Sequence, residues 1–216
     1  GCAFECDRWA TPQGLRITMV DKAATDRSGA VAMGLSAINT YVGRENTAED
    51  YVRYVRNDLM GIIREDLVYD VGRLVDDSVH LFEDWGLPIW KKDEEGNRID
   101  GVTSQKNEML SLRDGGSPVR SGRWQVMING ESYKVVIAEA GKLALANNRE
   151  KTGVDKNHYE RVFIVKLLSD KNDPKRIAGA VGFSVREKKL HVFKCKTGLL
   201  AAGGCVNVFK TRATGE

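Results

Sequence analysis

The first two-thirds of the chain shows helical spacing of apolar residues, interrupted by short apolar runs. A helical pattern at 1–10 precedes a turn with Pro12 and Gly14, and a short apolar run at 15–21 follows and ends in an aspartate. A helix, a turn and a strand in this order indicate a βαβ unit whose first strand is missing. The next stretch, 28–39, is rich in Gly, Ala and Ser and has no clear period. We therefore expect a loop there whose backbone can approach a ligand closely.

Two helices are predicted after this loop. Asn46 and Thr47 are each followed three residues later by an acid, Glu49 and Asp50, and apolar residues recur with helical period at 51–59, which predicts a helix capped by one of the two. A second helix is predicted after Arg64, Glu65 and Asp66, and Gly86 and Pro88 are predicted to stop it. Its inward-facing positions are predicted to be Leu67, Val71, Leu74, Val75, Leu81 and Phe82.

A polar stretch at 91–123 predicts a long surface excursion, made of a hairpin and an insertion. Loops of this length are often functional, so it is the candidate for a partner-facing surface. After it, the alternation at 124–128 predicts a strand, and 131–145 predicts a helix.

The last third of the chain has the pattern of strands. Strands are predicted at 161–168, 177–185 and 190–193, the last two joined by a hairpin, and a buried strand is predicted at 196–202 before two glycines. Helices and parallel strands followed by a β-meander predict an α/β nucleotide-binding domain.

Composition narrows the function classes. The chain has 216 residues, 33 basic and 30 acidic, and a formal net charge of only +3. A balanced charge of this kind lacks the basic footprint of a nucleic-acid-binding protein. No apolar run approaches the roughly 18 residues of a membrane span, and no signal peptide is evident, so neither a span nor export is predicted.

Cysteines and histidines predict no metal centre. The four cysteines, Cys2, Cys6, Cys195 and Cys205, include no C-x-x-C pair, and the three histidines lie far apart in the sequence. An iron–sulfur cluster or structural zinc held by this chain alone is therefore not expected. The spacing supports no disulfide framework either, which fits a reducing cytoplasm. Redox chemistry would have to come from an organic cofactor or a partner.

Three features are candidates for ligand binding, and each has a structural alternative. Asp21 ends the second strand where dinucleotide-binding folds carry an acid for ribose hydroxyls, although strands often end in Asp for turn chemistry. The loop at 28–39 either binds a pyrophosphate and a flat ring through its main-chain N–H groups or is a tight packing turn. The run at 199–204 ends a predicted buried strand with two glycines, as a cofactor-contacting strand does in flavoproteins.

Four segments together resemble the adenylylsulfate reductase alpha-subunit family. They are 26–41 (DRSGAVAMGLSAINTY), 79–91 (VHLFEDWGLPIWK), 121–134 (SGRWQVMINGESYK) and 177–187 (IAGAVGFSVRE). The resemblance spans essentially the whole chain, and motifs of this length are specific. The broader superfamily of fumarate reductase and succinate dehydrogenase flavoproteins shares the layout but not these motifs. The resemblance implies an α/β fold, namely an FAD-binding, Rossmann-like domain of the fumarate reductase type with a β-meander and without its first strand.

The resemblance also implies an activity, a cofactor and a partner. The family binds FAD and interconverts adenylyl sulfate with sulfite plus AMP, in either physiological direction. In the reductive direction N5 of the reduced flavin attacks the sulfur, AMP leaves, and the flavin–sulfite adduct releases sulfite. Electrons pass through a separate iron–sulfur beta subunit with two [4Fe–4S] clusters, in a heterodimer or larger assembly.

Site residues follow from the same resemblance. Asp21 and Lys22 match the ribose-binding end of the second strand, where many members carry Glu in place of Asp. Asn39 matches the asparagine beside the flavin and the substrate, and main chain near Phe163 is expected to meet the adenine. The loop along the pyrophosphate and ring is matched by Ser28, Gly29, Gly34, Leu35 and Ser36. The second contact strand is matched by Ala201, Ala202, Gly203 and Gly204.

Two departures from related sequences matter. Succinate dehydrogenase-type proteins carry a loop histidine that bonds covalently to FAD, whereas this loop has Ser28, Gly29 and Ala30 and no histidine. A non-covalent FAD is therefore expected. Ser121 stands where some members carry a glutamate near the active site, so no role is assigned there.

The expected domain organisation is a partial FAD-binding domain over 1–216, with 91–123 as its excursion. The leading strand and Gly-rich turn are expected before Gly1, and a capping domain and C-terminal helical domain after Glu216. Two other readings stay open: a fumarate reductase- or aspartate oxidase-like flavoprotein acting on a dicarboxylate, and a nucleotide-binding module without catalysis.

Overall fold

The chain forms two compact units in the computed structural model. Residues 1–34, 37–39, 47–87, 90–92, 94–95, 98–103, 125–127, 130–205 and 208–211 are described. Unit 1 comprises Gly1–Ile17 and Asp26–Asp155, and unit 2 comprises Thr18–Thr25 and Lys156–Glu216.

Unit 1 is largely helical. Its helices are α1 Cys2–Ala10, α2 Ala30–Gly34, α3 Ala48–Asp58, α4 Glu65–Gly72, α5 Val75–Asp84 and α6 Gly130–Thr152. Its strands are β2 Ala37–Asn39, paired antiparallel with β5 Gln125–Met127, and β3 Trp90–Lys92, paired antiparallel with β4 Arg98–Thr103. The β3–β4 pair confirms the hairpin predicted in the polar excursion, and 104–123 lies outside the described residues.

Unit 2 contains the β-meander. Strands β7 Val162–Ser169, β8 Ile177–Ser184 and β9 Leu190–Lys194 form a three-stranded antiparallel sheet in chain order. The short strands β1 Met19–Val20 and β6 His158–Tyr159 pair in parallel. The predicted meander and the predicted hairpin are thus confirmed, within one or two residues at the strand ends.

The buried core of unit 1 lies between α5, α6 and β2. Val79 and Leu87 are almost fully buried, and partly buried neighbours pack against them, namely Ile38, Phe82, Tyr133 and Val136. Because alternate residues of a strand face opposite sides, packing of Ile38 into this core turns Asn39 outward.

Helix α3 begins where the sequence predicts. The backbone N–H of Asp50 donates to the hydroxyl of Thr47 at 3.2 Å, and the backbone N–H of Thr47 donates to the carboxylate of Asp50 at 3.3 Å. This reciprocal capping box satisfies donors that a helix N-terminus otherwise leaves unpaired.

The helix predicted to end at Gly86 is wrong in two respects. The structure has two helices, α4 and α5, and three of the six predicted inward positions, Leu67, Val71 and Leu74, are about half exposed. The reason lies at Gly72, which faces α3: a Cβ atom there would lie 3.1 Å from a ring carbon of Tyr51. Leu67 and Val71 lie on another face of α4, away from this close approach, and Leu74 lies in the turn between α4 and α5.

A further correction concerns 196–202, which was predicted to be a buried strand. Residues 195–205 have no regular secondary structure, and Leu199 and Leu200 are 71% and 75% exposed. An apolar run becomes a buried strand only where a neighbouring strand pairs with it and another layer covers it. Among the described residues nothing pairs with this segment as a strand.

Asn148 on α6 joins the turn after α1 to the rest of unit 1. It is fully buried, its Oδ1 accepts from the N–H of Ile17 at 2.9 Å, and its Nδ2 donates to the Thr11 hydroxyl at 2.7 Å and to the Leu15 carbonyl at 2.9 Å. One side chain therefore fixes the path of the chain from α1 towards β1.

We expect Asn148→Ala to lower the free energy of unfolding by about 2 kcal/mol, because it removes three hydrogen bonds made by a fully buried amide. Asn147→Ala is the matched control: the neighbouring asparagine is exposed and donates to Asp7. Urea unfolding of both variants measures the difference, and equal midpoints for the two would contradict the assignment.

No helix in the described part of the chain is long and apolar enough to cross a membrane.

Candidate functional site

Asp21 lies directly after β1, at the carboxyl end of a parallel strand. Its N–H donates to the Tyr159 carbonyl at 2.8 Å, and its carbonyl accepts from the Val162 N–H at 3.1 Å. Its side-chain Oδ1 accepts from the N–H of Ala23 at 2.8 Å, which closes a local turn. The half-buried carboxylate is therefore fixed in direction, and its remaining lone pairs can accept from hydroxyl groups. Lys22 beside it is exposed.

The segment predicted as a loop at 28–39 contains regular structure, which corrects that expectation. Helix α2 begins at Ala30, directly after Gly29, and β2 ends the segment. Gly29 has φ +84°, a conformation that strongly favours glycine, and a Cβ atom added there would meet nothing within 4 Å. The exposed backbone at Gly29 thus leaves open space beside it, and Ser28 next to it is half-buried. Gly34 is the last residue of α2, and Leu35 and Ser36 lie outside the described residues.

Charged residues flank the beginning of this segment in unit 1. The carboxylate of Asp26 pairs with Arg27 at 3.2 Å and with Lys142 at 3.5 Å. The hydrogen bond from Arg27 lowers the pKa of Asp26, so this side chain stays ionised. One carboxylate with two cations gives this cluster a net charge of +1.

Asn39 ends β2 with its side chain exposed. Its backbone pairs with Gln125 of β5, and its carbonyl accepts from the phenol of Tyr51 at 3.4 Å. Burial raises the pKa of Tyr51, which keeps the phenol protonated as a donor. The backbone at Asn39 is therefore held from two sides, while the amide side chain is available to a ligand.

In unit 2, Phe163 lies on β7 next to the strand residue that hydrogen-bonds to Asp21. Its ring stacks on that of Phe183 on β8, with centroids 5.7 Å apart, and 39% of the residue is exposed. Ala201, Ala202, Gly203 and Gly204 form an exposed segment of the same unit. Gly203 has φ +81° there. The structure thus brings Asp21 close to the beginning of β7.

Sequence reasoning missed Glu160. Its Oε1 accepts from the backbone N–H of Thr25 at 2.6 Å, and the hydroxyl of Thr25 shares a hydrogen bond of 2.9 Å with Nε2 of His158. A glutamate between two strands has no local signature of this contact, because its partner lies 135 residues away in the sequence.

Two other features lie apart from these residues. A groove of about 590 Å³ runs between α3 and α4 in unit 1, and Arg56 and Glu65 pair across it. Cys2 and Cys6 have their Sγ atoms 3.7 Å apart on α1, and all four cysteines are free thiols. Within the described ranges, no three His, Cys, Asp or Glu side chains are close enough together to hold a metal ion.

Comparison with known proteins gives one extended sequence match. A scan against protein-family profiles finds no match. The chain is 59% identical over 219 aligned residues to the adenylylsulfate reductase subunit alpha of Megalodesulfovibrio gigas. The alignment covers 100% of this chain and 31% of that protein, so the chain spans about a third of the length of this relative.

Solved structures agree with the sequence match. The adenylylsulfate reductase of Archaeoglobus fulgidus is 52% identical, with a TM-score of 0.73 over 99% of this chain and 30% of its own. An adenosine-5-phosphosulfate reductase in complex with sulfite, as a covalent adduct, is 53% identical with the same TM-score and the same coverage. Sdh1 of Mycobacterium smegmatis is 14% identical, with a TM-score of 0.68 over 99% of this chain and 33% of its own, which shows a shared fold alone. The chain is therefore a relative, along its whole length, of the adenylylsulfate reductase alpha subunit, and it has the α/β fold of the fumarate reductase-type flavoproteins.

Proposed function

We propose that this chain forms the FAD-binding part of an adenylylsulfate reductase, which interconverts adenylyl sulfate with sulfite plus AMP. The observation that carries the proposal is 59% identity over the entire chain to an alpha subunit of that enzyme. A dicarboxylate-specific flavoprotein is not favoured, because identity to Sdh1 and to quinol fumarate reductase is only 14% and 15%. Since the chain spans a third of its relative, the substrates, the activity and the partner all belong to this proposal.

The described residues of unit 2 fit the adenosine end of FAD. In this proposal Asp21, with Lys22 beside it, accepts from the ribose hydroxyls, because its carboxylate is oriented by Ala23 and stands at the carboxyl end of β1. Main chain at Phe163 meets the adenine. The exposed segment 201–204, with a glycine at φ +81°, forms a second contact with the cofactor.

The described residues of unit 1 fit the pyrophosphate and the ring. Ser28 and the open backbone at Gly29 approach the phosphates. The proposal keeps Gly34, Leu35 and Ser36 for the flavin ring, although Leu35 and Ser36 lie outside the described residues. FAD, when bound, supplies the two-electron redox chemistry that separates adenylyl sulfate from sulfite and AMP. The role of this chain is to orient the reactants. The side-chain amide of Asn39 donates a hydrogen bond to the charge that develops on the substrate.

The proposal includes a partner. The relative is one subunit, alpha, of its enzyme, which supports a second subunit. In the proposal that partner is an iron–sulfur beta subunit with two [4Fe–4S] clusters, from which electrons reach the flavin. We keep the excursion at 91–123 as the candidate surface for that partner, in a heterodimer or larger assembly. A cytoplasmic location remains a prediction from cysteine usage.

The proposal is tested on the natural polypeptide that carries this chain, purified with whatever subunit accompanies it. We expect it to oxidise sulfite in the presence of AMP with an artificial electron acceptor, and to do so far more slowly without AMP. Oxidation of succinate in place of sulfite would identify the dicarboxylate alternative. A flavin-free protein that binds AMP and reduces no acceptor would identify the module without catalysis.

The same preparation tests how the flavin is held. We expect all FAD to be released by acid precipitation, because the loop that bonds covalently to flavin in succinate dehydrogenase-type proteins has no histidine here. Flavin absorbance in the supernatant and in the washed pellet is the measurement. Flavin that remains in the pellet would contradict a non-covalent site.

A further inference from the structure

The segment after β1, 21–25, is joined to the segment 159–162 by several hydrogen bonds. At the Asp21 end the two backbones exchange bonds through Tyr159 and Val162 at 2.8 and 3.1 Å. In the middle, the N–H of Arg161 donates to the carbonyl of Ala23 at 3.4 Å. These bonds set the position of the first residues of the segment.

The far end of the segment is held by a side chain. Thr25 is buried, and its N–H donates to the carboxylate of Glu160 at 2.6 Å. His158 adds a hydrogen bond to the Thr25 hydroxyl and lies 4.0 Å from the same carboxylate oxygen. A backbone N–H paired with a carboxylate is a charge-assisted hydrogen bond, which is shorter and stronger than a neutral one.

The hydrogen bond between Thr25 and Glu160 lies close in the chain to the turn that orients Asp21. The turn in which Oδ1 of Asp21 accepts from Ala23 spans residues 21–23, and Glu160 fixes the chain two residues further on. Without Glu160 the segment would keep its backbone bonds at Asp21 and Ala23 and the bond between the Thr25 hydroxyl and His158, but the Thr25 N–H would lose its charged partner. The chain that follows the turn would then be held less firmly, and with it the turn that orients the Asp21 carboxylate.

We infer that Glu160 is a positioning residue for the adenosine end of the FAD site: it holds the segment 21–25 so that the Asp21 carboxylate points at the ribose. The inference rests on the proposed function, which assigns the ribose to Asp21. Glu160 itself touches the segment and not the cofactor.

The test measures FAD affinity of the apoprotein by flavin fluorescence, in the natural polypeptide. Glu160→Ala is expected to weaken FAD binding about tenfold, the size expected for the loss of a hydrogen bond to a charged group. Glu160→Gln keeps an acceptor oxygen and is expected to restore affinity to within about threefold. Glu187→Ala, which removes an exposed glutamate of the same unit, is the control and is expected to change nothing. Turnover at saturating FAD should stay unchanged in Glu187→Ala.

A double-mutant cycle with Asp21→Ala separates positioning from a general loss of structure. If Glu160 acts through Asp21, the double variant binds FAD as weakly as Asp21→Ala alone. Additive effects, or full affinity in Glu160→Ala, would overturn the inference and leave the proposed function intact. Full affinity in Asp21→Ala would remove the ribose assignment, and with it the inference.

Discussion

Asn39→Ala is expected to lower the turnover of adenylyl sulfate about 10²–10³-fold while FAD content stays close to that of the unchanged protein. A donor aimed at charge that develops in the transition state contributes to rate on this scale. In the proposed function, affinity for the flavin is in contrast spread over contacts from Asp21 to Gly204. The structure adds a reason for the separation: the backbone at Asn39 is held by Gln125 and Tyr51, and neither contact uses the amide side chain.

The measurement is kcat for adenylyl sulfate together with the flavin-to-protein ratio. Asn172→Ala is the matched control, because Asn172 lies exposed in the turn between β7 and β8. Unchanged turnover with intact flavin in Asn39→Ala would mean that the amide has no role in the reaction. Parallel losses of flavin and turnover would mean that Asn39 serves the binding of the cofactor instead.

Elements with local signals were predictable from the sequence. The capping box of α3 depends on two side chains three residues apart, Thr47 and Asp50, and both hydrogen bonds form. The meander was predictable as well, because short turns joined its strands and fixed their neighbours in the sheet. In each case the residues that interact are close in the sequence, so no knowledge of the rest of the chain was needed.

Elements that depend on distant contacts were not predictable. The apolar stripe of α4 has the spacing of a buried face, yet the contact with α3 is made by Gly72 against Tyr51, and the stripe is exposed as a result. The apolar run at 196–202 likewise reads as a buried strand, although strand formation depends on a neighbour and not on the run itself. The periodicity of apolar residues shows which residues share a face of a helix or strand. It does not show whether that face packs against another element or is exposed to solvent.

The candidate site divides in the same way. Asp21 was identifiable because its position after a short strand, following a helix and a turn, is itself a pattern in the sequence. Glu160 was not, since its contact with Thr25 joins positions 135 residues apart. A residue such as Glu160, which acts through a contact distant in the sequence, is therefore hard to identify from the sequence alone. The double-mutant cycle with Asp21 tests its role.

The largest loss of stability is expected for Gly179→Ala in the meander. A Cβ atom at Gly179 would lie 2.1 Å from the carbonyl oxygen of Phe193 and 3.3 Å from the Cα of Lys194, both backbone atoms of β9. Because the backbone of β9 cannot move aside without breaking the β8–β9 pairing, we expect a loss of about 3 kcal/mol in the free energy of unfolding, at the upper end for overpacking.

Gly141→Ala on α6 is the control: its Cβ would meet nothing within 4 Å, and alanine inside a helix is expected to stabilise by about 0.5–1 kcal/mol. Urea midpoints compare the two variants, and hydrogen exchange of 177–194 shows whether the loss lies in the meander. A Gly179→Ala protein with an unchanged midpoint and full protection of β8 and β9 would contradict the prediction. It would mean that β8 and β9 can accommodate a methyl group at position 179.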